Sequence, residues 1–339
     1  MSKKGVLLIN LGTPDSPSTA DVRKYLNEFL MDPRVIDVNP VWRAVLVRGI
    51  IVPFRSPKSA ALYQKIWSDK TGSPLLHYSI LQRDLLRESL GDEYQVELAM
   101  RYQSPSIESV LAKFKESLVD GIRVIPLFPQ YASASTGSVY DKVMEVISTW
   151  PTKPNISFIN SFHDDDLMIA TFAENARKYQ PETYDHILFS FHGLPQRQLT
   201  KADHTHQHCL KVADCCETLT DANKTCYSAQ SHHTAKLIAE KLNIPKDKYT
   251  ICFQSRLGSD PWVQPYTSEI VAKLGKEGKK RVLVFCPAFV ADCLETVYEV
   301  TVEYGEEFKA LGGEHMQLVE SLNDAPMFIE SLKRMVVGG

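Results

Sequence analysis

Short apolar, β-branched runs alternate along this chain with longer amphipathic stretches. Residues 6–10, 95–99, 122–127, 187–190, 249–253 and 281–285 have the length and composition of strands. Residues 107–114 and 233–242 repeat their apolar positions every three to four residues, as helices with one buried face do. This alternation predicts an α/β fold, with parallel sheets covered by helices on both faces. Ligands on such sheets collect beyond the carboxyl ends of the strands. The loops at 10–15, 128–138, 192–197, 254–265 and 286–295 are therefore where chemistry is expected.

The pattern also repeats. Arg123-Val124-Ile125-Pro126-Leu127-Phe128-Pro129-Gln130-Tyr131 lies without a gap over Arg281-Val282-Leu283-Val284-Phe285-Cys286-Pro287-Ala288-Phe289. In the same register Val139-Tyr140 meets Val297-Tyr298, and Glu145 meets Glu303. Gly12-Thr13-Pro14 and Gly193-Leu194-Pro195 end an early strand in each half, and a middle strand leads to Arg101 or Arg256. Repeated landmarks in one order predict two halves of one design. The expected halves are 1–152 and 153–339, joined at the Pro-containing stretch 150–155, with the final helix packing back on the first half.

Composition narrows the function. The 339 residues are 44% hydrophobic and 23% charged, with a formal net charge of -3, and no basic excess points to nucleic acid. No run approaches the ~18 apolar residues of a membrane span, and the N-terminus reads as a strand rather than a signal peptide. A cytoplasmic protein is expected, compatible with peripheral contact at the inner face of the membrane. Neither G-x-G-x-x-G nor a phosphate-binding G-x4-G-K-[ST] loop is present, which disfavours a nucleotide cofactor.

Four groups of residues could carry chemistry. His192 closes a buried-looking strand before Gly193; it could shuttle a proton or ligate a metal, or simply bond to the backbone. Glu295, Glu299 and Glu303 recur every four residues. On an α-helix they drift about 40° per step, and an extra residue per turn would align them into a carboxylate file. A solvated helix face is the plainer reading, and the β-branched neighbours leave a strand open as well. Cys209, Cys215, Cys216 and Cys226 crowd one polar segment, 204–228, of a chain with seven cysteines. Four thiolates so close suit zinc or an iron–sulfur cluster. The missing C-x2-C knuckle tilts the reading to [2Fe–2S]. Residues 30–67 mix Trp42, Ile50, Phe54 and Trp67 with Arg34, Arg43, Arg48 and Arg55. Such a lip could hold a flat apolar ligand with carboxylates, rest on a bilayer, or be a core helix. Trp262 stands on one of the expected cleft loops.

Several motifs occur in one order: 8–14 (LINLGTP), 63–67 (YQKIW) with 72–74 (GSP), 128–131 (FPQY) and 190–195 (SFHGLP). They are followed by 254–258 (QSRLG), 261–262 (PW) and 286–296, which runs from Cys286-Pro287 to Glu295-Thr296. Together they resemble the ferrochelatase family over nearly the whole chain. The resemblance implies tandem flavodoxin-like, chelatase-like three-layer domains and insertion of ferrous iron into protoporphyrin IX, forming protoheme. It implies His192 and Glu295 at the metal and pyrrole centre, and Glu299 and Glu303 in a polar file. It places porphyrin contacts at Leu11, Arg101, Tyr102, Tyr131 and Trp262. Cys293 stands where many members carry histidine, as in a proteobacterial-type branch. No cysteine follows it, so any cluster would use the internal segment, as in a minority of microbial members. Coproporphyrin, or cobalt or sirohydrochlorin chemistry, is the nearest alternative activity. A heme- or metal-sensing protein without turnover is the alternative of another class.

Overall fold

The computed structural model describes residues 3–338 apart from Leu257 and Ser259. The chain forms two compact units. The first holds residues up to Phe128, Ala132–Asn160 and everything from Ile329 on; the second holds Pro129–Tyr131 and Ser161–Phe328.

In the first unit, strands β1 (Lys4–Gly12), β2 (Tyr94–Tyr102), β3 (Gly121–Pro126) and β4 (Asn155–Phe158) form a parallel sheet in the order β2-β1-β3-β4. The central strand is buried continuously from residue 5 to 10, as a parallel strand covered on both faces must be. Leu7, Ile9 and Val124 meet Val110 and Phe114 of helix Ile107–Glu116 and Val139 and Val143 of helix Ser138–Ser148 in one core. Ser106 caps the first of these helices by accepting the Ser109 N–H at 3.1 Å.

The second unit repeats this plan. Strands β5 (His186–His192), β6 (Tyr249–Gln254), β7 (Arg281–Phe285) and β8 (His315–Leu318) are parallel in the order β6-β5-β7-β8. Leu188, Val282 and Val284 pack with Val271, Val300 and Phe308 beneath the helices. The similarity between residues 123–131 and 281–289 is thus the similarity of β3 to β7, the same strand in two copies of one topology.

The chain passes from the first unit to the second after residue 160. Asn155–Phe158 pairs with β3, Gly121 opposite Asn155, so the chain stays in the first unit until residue 160. Helix Pro326–Val337 likewise ends in the first unit, where Arg123 Nε donates to the Met335 carbonyl at 3.2 Å.

Helix Tyr227–Lys241 carries a histidine that reports on folding. His232 stacks on Phe253 of β6 with ring centroids 6.4 Å apart. Burial lowers its pKa from 6.5 to about 4, outweighing the attraction of Glu217. The unfolded chain therefore binds a proton that the folded chain refuses between those values. This stability term is complete above pH 6.5 and is lost as pH falls towards 4, by about 3 kcal/mol. His232→Leu should flatten the acid limb of the stability curve by that order, read from urea midpoints at pH 4.5 and 7. Parallel curves for parent and variant would contradict this account.

Candidate active site and cysteine loop

One buried amide organises the end of the second sheet. Gln254 ends β6 opposite His192 of β5 and is 2% exposed. Its carbonyl accepts the Gly193 N–H at 2.8 Å. Its side-chain Oε1 accepts from Ser190 Oγ at 2.6 Å. Its Nε2 donates to the Glu295 carbonyl at 3.0 Å and to Glu299 Oε2 at 3.2 Å. The loop after His192 and the glutamate helix are therefore held by the same residue.

His192 is half-buried. Its Nδ1 lies 2.7 Å from the Gly193 carbonyl, which can only accept, so Nδ1 carries the hydrogen and Nε2 the lone pair. Tyr227 donates to the His192 carbonyl at 2.8 Å, and Trp262 and Phe289 flank the ring at 6.5 Å each. Gly193 is required by close approach. A Cβ there would stand 2.8 Å from the Gln254 carbonyl oxygen and 3.1 Å from a Trp262 ring carbon.

Residues Glu295–Tyr304 form a π-helix, the widened turn that brings every fourth residue nearer to one line. Thr296 holds its start, accepting the Cys293 N–H at 3.0 Å and donating to Asp292 at 3.1 Å. Glu299 is the best-held carboxylate of the file. It accepts from Ser255 Oγ at 2.7 Å, the Ser255 N–H at 3.2 Å, Tyr304 OH at 2.8 Å and Gln254. Ser255 adopts φ +64°, a left-handed conformation that these contacts hold in place. Beside Glu295 the Cys293 thiol is fully buried and donates to its carboxylate; burial first, then that charge, keeps the thiol protonated. Glu303 is the outermost of the three. Partial desolvation and the neighbouring Glu299 push its pKa up, so it holds a proton more readily than a free glutamate.

The first unit places its expected ligand contacts differently. Gly12, with φ +115°, lets β1 run against β2, since a Cβ there would lie 2.0 Å from the Tyr102 carbonyl oxygen. The preceding Leu11 stays half-exposed. Arg101, however, spends its guanidinium on Asp32 at 2.6 Å and Ser138 Oγ at 2.7 Å. Tyr102 is 0% exposed and donates to the same Asp32 at 2.9 Å. A side chain with no exposed surface does not touch a ligand in this conformation. Tyr102, expected as a porphyrin contact, lies here in a buried network with Asp32, and Arg101 shares that network. In the second unit, Tyr131 is half-exposed, its N–H held by Gln230 Oε1 at 2.7 Å, and Trp262 is mostly buried against His192.

The lip is helical, π-helical at Val45–Ile51 and α-helical over Val52–Ile66. Val47 and Val52 face inward, while Val41, Trp42 and Phe54 are each at least 70% exposed. Its basic edge is largely used within the unit. Arg34 binds Asp141 and Ser133, Arg43 the Ile36 carbonyl, and Arg48 Asn27.

The four loop cysteines converge. Cys215 and Cys216 sulfurs are 3.7 Å apart, and the thiols of Cys209 and Cys216 both donate to Cys226. Cys226 precedes helix Tyr227–Lys241, and the Ser228 and Ala229 N–H groups aim at its sulfur. The Cys209 and Cys216 thiols first, and then the backbone N–H groups at the helix start, lower its pKa to about 3 against the cost of burial and hold it as a thiolate. Asp203 folds the loop by accepting the His208 and Cys209 N–H groups at 2.9 Å each. Asn223 does the same from the other side, donating to the Cys215 carbonyl at 2.7 Å. Pre-formed thiolate and converging thiols are what a soft metal centre needs.

Gln254, Ser255, Tyr304 and Tyr227 were not singled out individually from sequence. Gln254 and Ser255 open the 254–258 motif, and Tyr227 directly follows Cys226, but amides and hydroxyls give no spacing signal of their own. Gly193→Ala should destabilise the second unit by about 1–3 kcal/mol through forced displacement of the loop. Urea unfolding of parent and variant measures it, and equal midpoints would show that the loop yields freely.

The ferrochelatase family profile matches residues 3–338. The chain is 43% identical over 334 residues to a protein of Coxiella burnetii (strain Dugway 5J108-111) named ferrochelatase, covering 98% of this chain and 93% of that one. It is 42% identical to the ferrochelatase of Legionella pneumophila (strain Paris), covering 98% of both chains. It is 44% identical to that of Opitutus terrae, covering 99% of this chain and 97% of that one. Among solved structures, SirB from Bacillus subtilis with Fe3+ shares the fold, with a TM-score of 0.52 at 13% identity and coverage of 99% and 96%. The chain belongs to the ferrochelatase family.

Proposed function

We propose that this protein inserts ferrous iron into protoporphyrin IX, the step that yields protoheme. The observation that carries the reading is the convergence of an imidazole loop and a carboxylate helix on Gln254, within a chain of this family. Insertion must remove two pyrrole protons as the ion enters. The balanced reaction takes the porphyrin and Fe2+ to the iron porphyrin and two protons. A flat macrocycle keeps its nitrogen lone pairs in plane, so a site that favours a puckered ring lowers the barrier. His192 offers a basic Nε2 for a pyrrole proton or for the ion. Glu295 balances the charge. Glu299 is a fixed acceptor and Glu303 a more easily protonated one, an order that suits passing protons outward or cations inward. Leu11, Tyr131 and Trp262 are assigned to porphyrin contact on family resemblance.

In anaerobic absorbance assays with saturating protoporphyrin and ferrous iron, His192→Ala and Glu295→Gln should each lower kcat by about 10²–10⁴-fold. Parent-like rates in both would end this assignment. Porphyrin binding without turnover by the parent would indicate a sensor instead.

The same proposal includes a [2Fe–2S] cluster on Cys209, Cys215, Cys216 and Cys226, supported by the converging sulfurs and the Cys226 thiolate. When bound, such a cluster cross-links its loop and can carry one electron. Anaerobically purified protein should absorb in the visible through sulfur-to-iron charge transfer, and Cys216→Ser should abolish that colour. A colourless protein holding one zinc ion would replace the cluster with zinc. The apolar lip, with Trp42 and Phe54 outward, supports peripheral contact with the inner face of the cytoplasmic membrane, and a cytoplasmic location goes with it.

A further inference from the structure

We propose that His163, Asp164 and His233 form a second metal site, for a borderline divalent transition ion such as Zn2+, Co2+ or Fe2+. One nitrogen from each imidazole and one Asp164 oxygen lie within 4.8 Å of one another. These residues are neither the loop cysteines nor the residues around His192 and Glu295. The rings of His163 and His233 are 5.3 Å apart between centroids.

The unsatisfied nitrogens point to a ligand. His163 is 7% exposed, yet its Nε2 has no hydrogen-bond partner among the described residues, and neither does the buried His233 Nδ1. A dry, unpaired polar atom is costly, and buried ones in native proteins are normally satisfied. Here two such atoms belong to neighbouring imidazoles beside a carboxylate.

The surroundings of His163 resemble the support of a ligand. Its Nδ1 lies 2.8 Å from Ser161 Oγ. Ser161 Oγ donates to Gln230 Oε1 at 3.3 Å, and that oxygen also accepts the Tyr131 N–H at 2.7 Å. A serine hydroxyl has one hydrogen. With it directed to Gln230, Ser161 accepts Nδ1–H and the lone pair of His163 sits on Nε2. Metal-bound histidines are ordinarily oriented by such a bond on the second nitrogen.

The frame is rigid where it needs to be. His233 lies on helix Tyr227–Lys241, whose Thr234 donates to the His163 carbonyl at 2.7 Å. His163 and Asp164 directly precede Asp165, which caps helix Asp166–Arg177. Asp164 is the exposed member of the group at 56%, with its Oδ1 3.9 Å from His163 Nδ1. Ligand atoms around a tetrahedral ion with bonds of about 2.1 Å stand about 3.4 Å apart, so closure asks for small rotations only. Two imidazoles and one carboxylate favour zinc, cobalt, nickel or ferrous ion over magnesium and calcium, which take oxygen ligands. An ion here would fasten segment 161–165 to the helix that begins at Tyr227.

Equilibrium dialysis of the full-length protein against Zn2+, with Co2+ absorbance as an optical check, tests this directly. Parent protein should bind one more equivalent than His233→Ala or Asp164→Ala, and Ser161→Ala should weaken that equivalent by about 10- to 100-fold. His192→Ala and Cys216→Ser should retain it. Zn2+ should raise the Tm of Cys216→Ser, and should raise that of the parent by more than that of folded His233→Ala. Unchanged stoichiometry and affinity in both His233→Ala and Asp164→Ala would overturn the site. The readout is metal binding rather than turnover, so its outcome is independent of the insertion chemistry.

Discussion

A single buried glutamine amide ties this site together. Gln254 joins the strand that ends at His192 to the helix that begins at Glu295, using its backbone carbonyl and both polar atoms of its side chain. Because the amide is dry, each bond it makes is costly to break without replacement. The imidazole loop is therefore held by the Gln254 backbone carbonyl and the carboxylate helix by its side-chain amide, two ends of one residue. Gly193 and Ser255 take conformations or contacts that only this arrangement accommodates.

The electrostatic order along the π-helix follows from solvation. Glu295 has a neutral thiol beside it, Glu299 four donors, and Glu303 partial burial with a like charge nearby. Three chemically identical side chains thereby acquire three environments. A regular α-helix would rotate them away from one another, and the widened turn keeps them in file.

Much of this was legible in the sequence because buried parallel strands write continuous apolar runs. All six strands read from such runs are present. The two that were not read, β4 and β8, are four-residue edge strands with half-exposed side chains, too short and too mixed to stand out. His192, the glutamate file and the cysteine loop were visible through residue type and spacing. The burial of Tyr102 was not, because a tyrosine next to an arginine at a strand end looks the same whether it faces a ligand or an aspartate 70 positions away. Gln254 was equally hidden, since its importance lies in where its partners come from.

The last stretch of chain belongs to the first unit. Ribosomes add about 5–20 residues per second, and residues 161–328 must all be made before Ile329 appears. For roughly ten to thirty seconds the nascent N-terminal sheet exists without its closing helix, and the region around Arg123 waits uncovered. The first unit thus receives its last helix only after the second has been synthesised.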